Sequence, residues 1–422
     1  RTVRGMNDIT PREIVSWVHA EKIISRVFGS YGYEEIRFPV VENTELFDRS
    51  NQASDMVSKE MYTFQDKGGD NLSLRPEGTA SCVRACIDND LIRTDSPRLW
   101  YNGPMFRYER PQKGRSRQFH QSSVEVFGMD GPEIDAEIIL LSSRLWKALG
   151  IDRDLYLEIN SLGSEETRQD YIEALVKFFK PLEGRLDEDS KRKLEENPLR
   201  ILDSKSENII NLLQKAPKIT DFLDEDSALH FKSLLNLLDD SGVEYTINSN
   251  LVRGLDYYNK TVFEWKTKNL GSQDTVCGGG RYDSLVEELG GKPCPAIGFS
   301  MGMERLILLI QDSLQKDIIT DQSLDCFFIC FGKTSINRAL LYAEEIRNTY
   351  PDLNLKVNFG SESASSQFKK ADKSGARFAL ILGETEIEED KITYKDLRKR
   401  SEQETTDFRN ILEKLNNYIQ EG

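Results

Sequence analysis

Residues that build metal sites or disulfide frameworks are few: the 422-residue chain has six cysteines and three histidines. Cys82, Cys86, Cys277, Cys294, Cys326 and Cys330 form no C-x-x-C pair, which disfavours both a zinc site and a disulfide scaffold. Cys82 and Cys86 stand at helical i, i+4 spacing and read as buried thiols rather than shared ligands. Long apolar runs are missing too. None approaches the roughly 20 residues of a membrane-spanning helix, and the opening RTVRGMNDITP has no apolar signal core, so a cytoplasmic location without membrane attachment is expected. That opening also lacks an initiator Met and reads as slightly truncated. Positive charge is in deficit, with 56 Lys and Arg against 71 Asp and Glu and a formal net charge of −15. A general nucleic-acid coat is thereby excluded; a local basic grip on one polyanion is not. Neither internal repeats nor low-complexity tracts occur. With 38% hydrophobic residues the chain can bury cores for two or three domains.

Against this acidic background, residues 98–117 carry Arg98, Arg107, Arg110, Lys113, Arg115 and Arg117 and the single acid Glu109. Around them, LWYNGPMFRYERPQKGRSRQFHQSSVEVFG (99–128) alternates apolar and polar residues on both sides of a Pro/Gly-containing centre. Two antiparallel strands joined by a long turn at 110–117 are therefore predicted. Such a tip serves either to blunt a sheet edge or to meet phosphates.

Upstream, Asp8-Ile9-Thr10-Pro11 predicts a helix start, with Gly29 and Gly32 ending that helix. A strand at 34–38 should stop at Pro39. EMYTFQD and NLSLR flank a KGGD turn, a second hairpin, and the chain then enters a helix through Arg75-Pro76-Glu77-Gly78-Thr79. That corner suits a small ligand, or else Thr79 simply caps the helix while Glu77 faces water. Residues 132–150 read as a helix and LYLEINS as a strand. From 164 to 242, acidic Lys/Leu-rich helical segments broken at Pro181, Pro198 and Pro217 suggest an inserted helical domain. VEYTIN (243–248) resumes the sheet, followed by LVRGLDYY, where Arg253 and Asp256 could pair, and by VCGGGRYDSLV, read as a glycine-rich turn. PAIGFSMGMERLILLI gives a strand, a glycine turn and a helix presenting Glu304 and Arg305. QKDIITDQSLD reads as a linker, beyond which CFFICFG, LNLKVNF and FALILG alternate with helices, the pattern of a small α/β domain with a mostly parallel sheet.

The runs FRYERPQKGRSRQFHQ and AIGFSMGMERL resemble motifs 2 and 3 of the class II aminoacyl-tRNA synthetases, and GYEEIRFPVVENTELF resembles their motif 1. LVRGLDYYNKTVFEW and VCGGGRYDSLV resemble the histidine-specific blocks of the histidyl-tRNA synthetases. The resemblance covers nearly the whole chain. It implies an α+β catalytic domain with a mixed, mainly antiparallel sheet at 1–163 and 243–315, a helical insertion domain at 164–242 and an α/β anticodon-binding domain at 323–422. The implied reaction uses ATP with Mg²⁺ to convert histidine to histidyl-adenylate, then transfers histidine to tRNA(His); motif 1 implies a homodimer.

The resemblance also assigns residues. Arg107, Arg253 and Arg305 would be the catalytic cations, because a planar fork grips oxyanions bidentately. Glu77, Gly78, Thr79, Gln121, Glu125, Tyr257, Tyr258 and Tyr282 would form the histidine pocket. ATP would meet Arg107, Glu109, Arg115, Phe119 and Arg305, and the tRNA acceptor end Arg110, Gln112 and Lys113. The competing implication is a histidine-sensing relative, the ATP phosphoribosyltransferase regulatory subunit, which usually lacks the anticodon domain and erodes the histidine blocks.

Overall fold

The computed structural model describes residues 1–50, 56–94, 96–204, 206–255, 257–270, 274–313, 324–360, 362–399 and 402–421. Its chain divides into two compact units, Arg1–Gln315 and Lys316–Gly422. The predicted linker at 315–325 lies largely outside the described residues, as does Asp256.

The strands of the first unit are β1 (Glu34–Glu35), β2 (Val41–Asn43), β3 (Tyr62–Gln65), β4 (Asn71–Leu74), β5 (Arg98–Phe106) and β6 (Gln118–Phe127). They continue with β7 (Tyr156–Ser161), β8 (Thr246–Ile247), β9 (Asn259–Lys266), β10 (Thr275–Arg281) and β11 (Ala296–Gly302). Eight form one sheet in the order β1-β5-β6-β11-β10-β9-β7-β8. Only the outermost pairs, β1 with β5 and β7 with β8, are parallel. The mixed, mainly antiparallel sheet expected is thus the one found, and β2-β4-β3 adds a small second sheet.

Both predicted hairpins form, β5 with β6 and β3 with β4. Four local readings are corrected. The first helix begins at Ile14, three residues after Pro11, because the Glu13 carboxylate reaches back to the Thr10 amide (3.0 Å) and hydroxyl (2.6 Å) and holds the chain in a turn. It also runs through Gly29 to Ser30, and Gly32, at φ +79°, takes the left-handed turn. The strand expected at 34–38 shrinks to two residues, since beyond the Ile36 amide bond to the Trp100 carbonyl (2.9 Å) the pairing stops short of Pro39. VEYTIN is likewise strand only at Thr246–Ile247.

The helix Pro132–Leu149 opens with Pro at its first position and closes on left-handed Gly150. Its Ile138, Leu141 and Leu145 are fully buried against the sheet, each worth about 1.5–3 kcal/mol of burial. The same helix carries Asp135 into the core. There Asp135 Oδ1 pairs with Arg281 Nη2 (2.7 Å), and Oδ2 accepts from Arg281 Nε (3.1 Å) and the Thr261 hydroxyl (2.6 Å) and meets His230 Nε2 (2.8 Å). His230 belongs to the helix Glu225–Asp240, so this knot ties the end of the helical segment 164–242 to the sheet.

The second unit has β12 (Cys326–Cys330), β13 (Leu355–Val357), β14 (Phe378–Leu382), β15 (Ile392–Asp396) and β16 (Glu404–Thr406), in the order β13-β12-β14-β15-β16. The α/β expectation holds for its parallel core of β13, β12 and β14. Two antiparallel strands, β15 and β16, extend the sheet and make it less parallel than expected. β12 and β14 are buried along their whole length, as central strands covered on both faces must be.

Candidate active site

The registers of β5 with β6 and of β6 with β11 set Glu125 opposite Leu99 and Gly298. Its carboxylate is 1% exposed. Oε1 accepts from the hydroxyls of Thr79 (2.8 Å) and Tyr101 (2.9 Å), and Oε2 accepts from the Tyr282 hydroxyl. Burial pushes this carboxyl up to about 8, with the three hydroxyls opposing the shift. A Cβ on Gly298 would stand 2.9 Å from the Glu125 carboxyl carbon, so glycine leaves the carboxylate its space. Gly78 does the same for Tyr101, whose ring carbon Cζ would lie 2.5 Å from an added Cβ.

Glu77 is buried as well, 3% exposed. It receives the amides of Thr79 (2.5 Å) and Ala80 (2.9 Å), so its carboxylate closes the N-terminus of the helix Thr79–Asp88. This corrects the capping alternative: Glu77 caps, and Thr79 is free to give its hydroxyl to Glu125. Burial raises the Glu77 carboxyl despite these amides. Tyr257 completes the cluster, with ring centroids 4.7 Å from Tyr258 and 5.6 Å from Tyr282. Gln121 lies on β6 between Gly103 and Gly302, and its Oε1 is buried without a partner.

Of the three arginines singled out from the sequence, Arg107 is the one that senses the charge of Glu77. Arg107 donates through Nε to the Pro76 carbonyl (2.8 Å) and sits 5.2 Å over the Phe119 ring. Burial lowers its pKa, against the pull of Glu109, Glu60 and Glu77. Arg305 donates to the Thr275 carbonyl, and burial with neighbouring Arg115 lowers it too. Arg253 is paired with Glu264 on β9; the pairing with Asp256 considered from the sequence falls on a residue outside the described set. Burial alone would lower its pKa, but Glu264 and Tyr258 raise it.

The tip at 107–117 divides by exposure. Arg110, Gln112 and Lys113 are exposed. Arg115 pairs with Glu109 (3.1 Å), and Arg117 lies 3.7 Å over Tyr108. Arg98 stands apart, bound to Glu137 (2.7 Å).

The glycine-rich run is not a turn. Gly278, Gly279 and Gly280 lie inside β10, paired on both sides, and β11 passes directly into the helix Met303–Ser313 without an intervening turn. An added Cβ would meet the Arg253 guanidinium at Gly278 and the neighbouring strand at Gly279, where it would run into the Gly298 carbonyl oxygen. Sequence reasoning missed Tyr101, Glu264 and Thr275; for Tyr101 the signal was its place in the β5 alternation, two residues on from Leu99. Among the described residues, no group of three His, Cys, Asp or Glu side chains could hold a metal ion, and no helix is long and apolar enough to cross a membrane. All six cysteines are buried and free.

A family model for histidyl-tRNA synthetase matches residues 5–306, and one for an anticodon binding domain matches residues 325–418. Among solved structures, the apo histidyl-tRNA synthetase of S. aureus is 35% identical over 98% of both chains, with a TM-score of 0.81. The histidyl-tRNA synthetase of Nostoc sp. PCC 7120 shares the fold at 21% identity, 99% coverage of both chains and a TM-score of 0.69. So does an ATP phosphoribosyltransferase regulatory subunit/histidyl-tRNA synthetase from Bacillus halodurans, at 20% identity, 91% and 98% coverage and a TM-score of 0.65. With the family match spanning most of its length and the class II fold carrying an anticodon-binding unit, the chain belongs to the histidyl-tRNA synthetases, the ligases that join histidine to tRNA with ATP.

Proposed function

We propose that histidine is activated in the pocket around Glu125 and that Arg107, Arg253 and Arg305 handle the phosphates. The observation that carries this is a buried carboxylate ringed by three hydroxyls, with three arginines on the surrounding elements. Glu125 accepts the imidazole N–H, and Tyr282 and Tyr257 wall the ring. Glu77, Thr79, Gln121 and Tyr258 hold the amino acid's polar end, while Gly78 keeps the floor low enough for Tyr101.

Activation needs no general base, because the histidine carboxylate is already a nucleophile at neutral pH. A carboxylate oxygen attacks the α-phosphorus, the bond to the bridging oxygen breaks, and pyrophosphate leaves. The obstacle is charge, and fixed guanidinium groups stabilise the oxyanion without reorganising. Arg107 grips the carboxylate and α-phosphate from one side and Arg253 the phosphate from the other. Arg305 takes the γ-phosphate, Phe119 stacks on adenine, and Glu109 with Arg115 lines the nucleotide. Mg²⁺, which would come bound to the triphosphate, would supply further neutralisation of its charge alongside the arginines. The terminal ribose hydroxyl of tRNA(His) then attacks the carbonyl and releases AMP, with Arg110, Gln112 and Lys113 at the acceptor end. The active species is a cytoplasmic homodimer.

The ligase is favoured over a regulatory role by the retained anticodon-binding unit and the intact Arg253 to Tyr258 block. Pyrophosphate exchange with each of the twenty amino acids tests it: exchange is expected with histidine alone. Histidine binding without exchange would instead indicate the regulatory role.

A further inference from the structure

Arg253 projects from residues 251–253, which have no regular secondary structure, so its aim comes from what its side chain touches. Two such contacts face each other across neighbouring strands. Glu264 on β9 is in register with Gly278 on β10. Glu264 accepts from Nη1 of Arg253. A Cβ on Gly278 would stand 2.6 Å from Cζ and 2.7 Å from Nη2, so only glycine leaves the slot that the guanidinium fills. Glu264 is itself fixed from its other side: its Oε2 accepts from the Thr275 hydroxyl (2.9 Å) and lies 3.3 Å from Lys266 Nζ, which in turn pairs with Glu158 (2.9 Å). Thr275 also lends its carbonyl to Arg305, so one residue links the supports of both arginines. Nε of Arg253 is buried without a protein partner, as are those of Arg84 and Arg377, and the guanidinium lies 5.9 Å over the Tyr258 ring.

We propose that Glu264 and Gly278 are positioning residues of the activation step: the carboxylate holds one corner of the Arg253 guanidinium, the glycine leaves room for the rest, and the remaining donors are kept for the α-phosphate. Outer partners that orient a working group typically change activity by about 10- to 100-fold when lost. This inference rests on the phosphate role of Arg253.

Single-turnover adenylate formation by the full-length enzyme tests it, using Glu264→Gln, Gly278→Ala, Arg253→Ala and the two doubles with Arg253→Ala. Glu264→Gln keeps the side chain's size and removes its charge. Gly278→Ala removes no charge and presses only on the far end of a flexible side chain, so it carries the test should Glu264→Gln fail to fold. Each single variant is expected to slow the step about 10-fold or more, with the KM for histidine unchanged. In the Arg253→Ala background neither should slow it further, because the group they position is gone. Losses that multiply in the doubles, or unslowed single variants, would overturn the inference. An Arg253→Ala enzyme at full speed would instead overturn the reading of Arg253 beneath it.

Discussion

Arg281 and Arg253 each meet a carboxylate at the same large sheet, and they are built differently. Arg281 is fully buried and spends every guanidinium nitrogen: Nε on Asp135, Nη1 on the Met129 carbonyl (3.1 Å) and Nη2 on the Gly131 carbonyl (2.6 Å) and Asp135. Arg253 keeps a side-chain exposure of 20%, gives Nη1 to Glu264 and leaves Nε unpaired. A saturated guanidinium joins elements together; one with donors in reserve can take an anion, the role proposed for Arg253. The surroundings differ in the same sense. Asp135 joins two helices and two strands, whereas Glu264 has Thr275 and Lys266 as further partners and does not depend on Arg253 alone.

The sharpest way to break this contrast is to remove each arginine in turn. Arg281→Ala strands a buried carboxylate and is expected to cost about 3–5 kcal/mol of stability, read from chemical denaturation. Arg253→Ala should leave the melting temperature nearly unchanged and slow adenylate formation roughly 10²–10³-fold, about 2.7–4 kcal/mol in the barrier. A destabilised but fully active Arg253→Ala enzyme would make the two arginines equivalent and erase the distinction.

Protonation sharpens it further. In the chain without histidine, Glu125 is raised from an ordinary 4.5 to about 8, so between these values the folded chain holds a proton that the unfolded chain has released and that must leave when the carboxylate accepts the imidazole N–H. Its contribution is therefore complete below about pH 4 and declines by about 1.4 kcal/mol per unit as pH rises toward 8. Glu125→Gln should remove that slope, and urea midpoints of both proteins from pH 5 to 8 measure it; parallel curves would contradict the assignment. The smallest effect belongs to the exposed tip. Arg110→Ala with Lys113→Ala should flatten the salt dependence of tRNA binding, the logarithmic slope falling by about 1 per lost phosphate contact. An unchanged slope would remove both from the phosphate path.

Much of the fold was legible because its signals are local. Alternation marked the β5–β6 hairpin, the spacing of Ile134, Ile138, Leu141, Leu145 and Leu149 marked the helix Pro132–Leu149, and CFFICFG and FALILG read as strands alternating with helices. Ends were less legible: β1 and β8 keep two residues each, since edge pairing depends on what the neighbour offers. In the site, residues with motif spacing could be named from the sequence, while those defined by cross-strand register could not. Glu264 faces Gly278 only because β9 and β10 pair as they do, with an irregularity on each side of that stretch, and a one-residue slip would turn both away. Glycines that read as a turn prove to lie inside a strand, Gly278 beside the Arg253 guanidinium and Gly279 close against the backbone of β11. Asp135 and Arg281 are 146 residues apart in sequence, beyond any local signal.

The most direct test of the account is the response of histidine-dependent pyrophosphate exchange to Glu125→Ala. A carboxylate that pairs with the imidazole discriminates through a buried polar contact, and such contacts are worth far more than a missing methylene. The KM for histidine should rise steeply while the KM for ATP stays close to that of the unaltered enzyme. Equal rises in both, or in neither, would contradict the placement of the histidine side chain against Glu125.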